Sequence, residues 1–213
     1  MTVMNFVLSE ALKVQIESNV AKLERRDVED PQLRHAAVAI VITEDPQRGC
    51  ASILLTLRPK TIKRHANQYA LPGGRLEEGE TPEQAALREL SEELGVDLNA
   101  NQIIGRLDDF ATHSGFRITP IVVWGGPSLE INPDPNEVAI VHHIPLDDLN
   151  SPDIPILRPL EGSEHPILSA HIETLGHEVW APTAAMLYQF REIALRGEMT
   201  RVHFYEQPAF ARK

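Results

Sequence analysis

The chain has 213 residues, 42% hydrophobic and 24% charged, proportions of an ordinary globular protein rather than of a disordered one. A formal net charge of -11 argues against non-specific nucleic-acid binding, which rewards clustered Lys and Arg, and no apolar run approaches the ~20 residues that span a bilayer. If the ligand is an anion, a local basic patch or a bound metal must reverse the field at its site.

This length is expected to form one domain: an N-terminal helix over about 9–25, a core over about 35–197 and a C-terminal tail over about 198–213. The first residues, MTVMNFVLSEALK, lack a basic segment followed by an apolar core, so the expected location is cytoplasmic. Within the first helix, Leu12, Ile16, Val20 and Leu23 recur at helical spacing behind Ser9 as N-cap. AAVAIVIT (36–43) and ASILLTLR (51–58) follow as a strand pair joined by the turn-like EDPQRGC. Cys50 is expected there in a loop or at a strand edge, and as the single cysteine it forms no internal disulfide.

Next comes TPEQAALRELSEELG, whose helix ends are marked chemically. Thr81 is the N-cap, Pro82 the first helical residue, Gln84 completes a capping box and Gly95 stops the helix. At ~100° per residue, Ala86, Leu87, Leu90 and Leu94 share one arc while Glu89, Glu92 and Glu93 share the next. Acidic groups at such spacing repel, and two readings follow: a solvated acidic face, or a hard divalent cation held by oxygen ligands. Further strands are expected in NQIIGRL, RITPIVVW and EVAIVHHIP, and a last helix in PTAAMLYQFREIALRG between Pro182 and Gly197. Strands around one internal helix, with helices at either end, describe an α/β fold with a mixed β-sheet between helices. His113, His142 and His143 read as core or surface residues rather than zinc ligands, and Trp124, Trp180, Tyr188 and Phe190 as core.

GRLEEGETPEQAALRELSEELGV (74–96) resembles the Nudix box, G-x5-E-x7-R-E-U-x-E-E-x-G-U with U a bulky aliphatic residue; Gly74, Glu80, Arg88, Glu89, Leu90, Glu92, Glu93, Gly95 and Val96 fill every defined position. The resemblance implies a Nudix-type α/β/α sandwich and a pyrophosphohydrolase using Mg2+ or Mn2+. By position, Glu89, Glu92, Glu93 and the Gly74 carbonyl would bind metal, and Arg88 would pair with Glu80. Gly73 and Gly74 let backbone approach the ion or phosphate. The base that takes the water proton is left among Glu92, Glu93 and Glu137, the last expected at the start of a strand after INPDPN.

Upstream, LLTLRPKTIKRHANQYALPGG (54–74) is similar to the additional motif of Nudix coenzyme A pyrophosphatases, L-L-T-x-R-(S/A)-x3-R-x3-G-x3-F-P-G-G. Leu54, Leu55, Thr56, Arg58, Pro72, Gly73 and Gly74 agree; Pro59, Lys63, Asn67 and Leu71 depart from it. Lys63 keeps the charge without the guanidinium fork, and Asn67 tolerates the positive φ open to glycine. EVWAPTAAML is loosely similar to the segment opening that subfamily's last helix. The resemblance implies coenzyme A or an acyl coenzyme A as substrate, and a homodimer. Arg58, Lys60, Lys63, Arg64 and His65 form the densest basic run, either a site for substrate phosphates or a solvated loop. Two other readings stand beside this one: a Nudix pyrophosphatase for ADP-ribose, dinucleotides or nucleotide sugars, and a noncatalytic diphosphate sensor.

Overall fold

The computed structural model describes residues 6–60 and 67–209. In chain order the main sheet contains β1 (Arg34–Glu44), β2 (Ala51–Leu57), β3 (Tyr69–Ala70), β4 (Gly73–Arg75), β5 (Ile103–Arg106), β6 (Phe110–Ala111), β7 (Phe116–Gly126) and β8 (Ile140–Pro145). Its spine runs β3-β2-β1-β7-β5, with β4 on β1, β6 on β7 and β8 on β2. β1 and β7 are parallel, Ala37 opposite Thr119, and the other pairs antiparallel, so the sheet is mixed.

β1 explains the layers. Its alternation sends Val38, Ile40 and Ile42 into one apolar cluster and Ala37, Ala39 and Val41 into another, and both faces of the sheet are covered. The first face packs against Leu12, Ile16 and Val20 of α1 (Glu10–Val20) and against the C-terminal helix; the second packs against Ala86, Leu90 and Leu94 of α2 (Pro82–Leu94). The result is an α/β/α sandwich with α2 against the face that carries Ala37 and Ala39. α3 (Leu146–Leu149) is a single turn after β8. Among the described residues, no helix is long and apolar enough to cross a membrane.

Three regions differ from the sequence expectation. α1 stops at Val20 instead of running to Arg25, because residues 25–28 are drawn out to serve two buried carboxylates: Arg26 N donates to Asp108 at 2.7 Å, and Val28 N to Asp109 at 3.1 Å. A second, antiparallel sheet of β9 (Ile156–Arg158), β10 (Ile167–Ile172) and β11 (His177–Trp180) occupies a stretch in which the sequence suggested no element. Glu178–Trp180 therefore belong to a strand, and the last helix α4 begins at Thr183, runs to Phe190 and widens into a π turn over Arg191–Leu195.

The segment expected as a tail is packed over residues 198–209. Val202 and Gln207 are buried, Arg201 Nη1 reaches both Asp108 oxygens at 2.7 and 2.8 Å, and Gln207 bonds the backbone of Ala111 and His113. Single side-chain bonds of this kind leave no periodicity in a sequence.

Candidate active site

The α2 ends form as their residue types dictate. Thr81 Oγ1 accepts from Gln84 N at 3.3 Å, Gln84 Oε1 accepts from Thr81 N at 2.8 Å, and Gly95 closes the helix at φ 63°. With Leu90 and Leu94 fixed in the core, Glu93 is turned under the sheet edge at 3% exposure, whereas the Glu92 side chain remains 56% exposed.

Arg88 organises the acidic face. Its Nε and Nη2 grip Glu80 at 2.9 and 3.1 Å, Nη2 also donates to the Arg75 carbonyl at 2.9 Å, and Nη1 donates to Glu89 at 2.9 Å and Glu92 at 2.8 Å. The Arg88 bonds hold the Glu80 carboxyl below the usual range, and Glu80 in turn pushes the guanidinium pKa up. This bidentate grip ties the loop before α2 to the helix.

Glu93 is held by one oxygen and approached at the other. Its Oε2 accepts from Gly73 N at 3.1 Å, while Oε1 lies 3.7 Å from Arg58 Nη1. Burial pushes its pKa up to about 7, reinforced by Glu89 and Glu137 and opposed by the Gly73 N–H and Arg58. Glu89 is also raised, first by burial, with Arg88 opposing. Gly73 and Gly74 pair with Val38 and Ala37 of β1; a Cβ on Gly74 would collide with the Glu89 carboxylate, and one on Gly73 with the backbone of Ala37 and Val38.

The Glu137 turn is brought to α2 by backbone bonds: Asn132 N donates to Leu94 O at 2.8 Å and Asp134 N to Glu93 O at 3.0 Å. Glu137 lies in that turn, three residues before β8, rather than at the start of the strand, because these bonds hold 132–137 against the helix end.

A cavity of about 890 Å3 joins these parts. Arg58, Gly73, Gly74, Glu89, Glu93 and Glu137 all line it; Glu80, Arg88 and Glu92 do not. Lys63 and Arg64, with His65, lie outside the described residues, and Lys60 is exposed. Asn67 has φ 57°, the turn geometry expected of it, and also lines the cavity.

The far wall was not read from the sequence. It comes from Tyr69 and Phe116 on the main sheet and from His177, Glu178 and Trp180 of β11. Trp180 is thus a cavity residue rather than a core one, with Arg158 over its ring at 4.8 Å, while Trp124 and Tyr188 pack against the core and Phe190 lies within it. The signal that could have found it is the HEVW stretch, with two aromatic rings three residues apart beside a turn glycine. His143 Nδ1 meets Ser52 Oγ at 3.2 Å, His113 Nε2 meets Glu206 at 3.0 Å and His142 packs edge-on to Tyr69, as structural histidines do.

Among the described residues, no three acidic, imidazole or thiol groups are grouped tightly enough to cage a metal. The donor chemistry nevertheless fits a hard divalent cation: Glu89, Glu93 and Glu137 bring mutually repelling carboxylates to one cavity, and the closeness of Gly74 to the Glu89 carboxylate places backbone there too.

Residues 33–165 match the NUDIX domain family. The chain is 36% identical over 148 residues to the uncharacterized Nudix hydrolase NudL of Klebsiella pneumoniae (strain 342), covering 69% of this chain and 70% of that one. It is 33% identical over 168 residues to the protein of the same description from Escherichia coli O7:K1, covering 76% and 82%. Among solved structures, the MutT protein of Methanosarcina mazei Go1 aligns with a TM-score of 0.43 at 22% identity, over 60% of this chain and 83% of that one. By the extent of the sequence matches the chain belongs to the Nudix hydrolase family, and its enzymatic class is that of a pyrophosphohydrolase.

Proposed function

We propose that the enzyme hydrolyses the diphosphate of coenzyme A or an acyl coenzyme A to 3',5'-ADP and the (acyl) 4'-phosphopantetheine, with Mg2+ or Mn2+ held by Glu89, Glu93 and the Gly74 carbonyl, and by Glu92 on exchanging its Arg88 bond for the ion. One observation carries the reading: Arg58, from the stretch that resembles the coenzyme A motif, meets Glu93, from the box helix, in the cavity both line. When bound, a divalent cation supplies charge neutralisation at the diphosphate and acidifies water at the site.

The chain's own groups account for the rest. Water attacks one phosphorus and its proton passes to a carboxylate; the anhydride P–O bond breaks, and the bridging oxygen leaves with the electron pair on the departing phosphate. Glu93 and Glu137 line the cavity and are the supported candidates for that base, whereas Glu92 is exposed and bonded to Arg88. Glu80 and Arg88 position the loop against α2, and Gly73 and Gly74 keep the approach open.

The test is a substrate panel with Mg2+: coenzyme A, acetyl coenzyme A, ADP-ribose, a diadenosine polyphosphate and a nucleotide sugar. Release of 3',5'-ADP from the coenzyme A pair is expected to dominate. Release of AMP from ADP-ribose, with coenzyme A untouched, assigns the enzyme to the other diphosphates; binding without turnover of any substrate points to a sensor.

A further inference from the structure

Two arginines stand at the carboxylates in opposite states. Arg88 is saturated, with bonds from Nε, Nη1 and Nη2. Arg58 is not: among the described residues its side chain makes no hydrogen bond, its Nε is buried without a partner, and its only ion pair is the 3.7 Å approach of Nη1 to Glu93, too long for a hydrogen bond. A guanidinium has five N–H donors; here the Nε donor is shut away from water without an acceptor, which costs free energy, while the side chain as a whole is 29% exposed and so open to a ligand from the cavity.

The position of Arg58 says which acceptors. It follows β2 directly, and its backbone is clamped on both sides, Arg58 N donating to Gln68 O at 3.1 Å and Arg58 O accepting from Asn67 N at 3.2 Å. Its head lies across a single carboxylate from the Gly73 N–H, at the cavity end that also holds Gly74 and Glu89. A residue meant to read a phosphate distant from the scissile bond would not need to be at Glu93.

We infer that Arg58 is a catalytic residue that contacts the scissile diphosphate itself, donating its fork to oxygens of the departing phosphate, rather than a recognition residue for a remote phosphate on the substrate. As the anhydride bond breaks, its electron pair collects on that phosphate oxygen. Arg58 remains protonated throughout, moves no proton and opposes the growing charge through hydrogen bonds already in place. This rests on the carboxylate end of the cavity being the diphosphate site and is independent of which diphosphate is the substrate.

The experiment compares Arg58→Ala and Arg58→Lys with the unaltered enzyme on coenzyme A, dephospho-coenzyme A and ADP-ribose, taking kcat and KM separately. For every substrate turned over, kcat is expected to fall by a common factor of ~10²-fold in the Ala variant. Arg58→Lys is expected to recover only part of the loss, because an ammonium keeps the charge without the fork. Added guanidinium is expected to restore part of the rate to Arg58→Ala, a readout that a purely structural role would not move. With Mg2+ present, the Ala variant is also expected to bind imidodiphosphate, a non-hydrolysable diphosphate, at least ~10-fold more weakly.

A rise in KM confined to coenzyme A, with dephospho-coenzyme A unaffected, would overturn the inference. Unchanged imidodiphosphate affinity in either variant would do so as well, and it needs no turnover. If coenzyme A is not cleaved but ADP-ribose is, the substrate proposal fails while the common loss in kcat still decides the role of Arg58.

Discussion

Glu93 holds a carboxylate in a place that disfavours its charge. At 3% exposure and beside Glu89 and Glu137, its pKa in the folded protein is about 7 against an ordinary 4.5. An acid raised on folding contributes stability that is fully present below the unfolded value and lost as pH rises through the folded one. The metal-free protein should therefore lose about 3 kcal/mol from this group between pH 4.5 and 8. Chemical denaturation in EDTA at the two pH values measures it, and in Glu93→Gln only the change due to other groups should persist. Magnesium should reverse the trend in the unaltered protein, stabilising it more as the pH rises and the competing proton leaves. The residues behind this behaviour were partly legible: spacing put three glutamates on one arc of α2. It could not tell Glu93 from its neighbour Glu92, because the difference is made by a sheet edge and by Arg88, neither of which is encoded in helical periodicity. Asn67 was legible for a different reason, since a positive φ restricts residue type directly.

Elements were legible where their ends carry chemistry. α2 has a capping box, a proline at its first turn and a left-handed glycine at its stop, and each fixes a boundary without help from tertiary contacts. β11 has nothing comparable: four residues, HEVW, become a strand because β10 supplies their partners, Ala170 opposite Val179, and because Arg158 of β9 bonds Glu178 at 2.7 Å. The contact of β4 with α2 gives a prediction that separates fold from function. The atoms nearest the new Cβ in Gly74→Ala are the far end of the Glu89 side chain, so the melting temperature should change little while activity falls ~10²-fold as that carboxylate is displaced. Gly73→Ala instead meets the backbone of β1, and should destabilise the protein by ~1–3 kcal/mol. Thermal unfolding and kcat, measured on both variants, distinguish the two kinds of glycine.

At the scale of the molecule, sequence and structure agree on the sandwich and diverge over what closes it. The strand-helix-strand pattern announced the layers because both faces of β1 are written in its alternation. The closure was hidden because it depends on Asp108 and Asp109, two buried carboxylates that gather donors from distant segments. Asp108 takes Arg26 N, Gln189 Nε2 and Arg201 Nη1; Asp109 takes Arg25, Val28 N and Thr119. Arg201→Ala leaves Asp108 short of its cation and should cost about 3 kcal/mol in urea unfolding, with Arg201→Lys recovering part. Because this clasp joins residues near 26 with one near 201, it cannot shut until residue 201 has been synthesised. A ribosome that has released everything up to Asp109 has delivered that carboxylate with Arg25 beside it but left Asp108 without its arginine, so a nascent enzyme carries one bare anion in an unfinished body until Arg201 emerges.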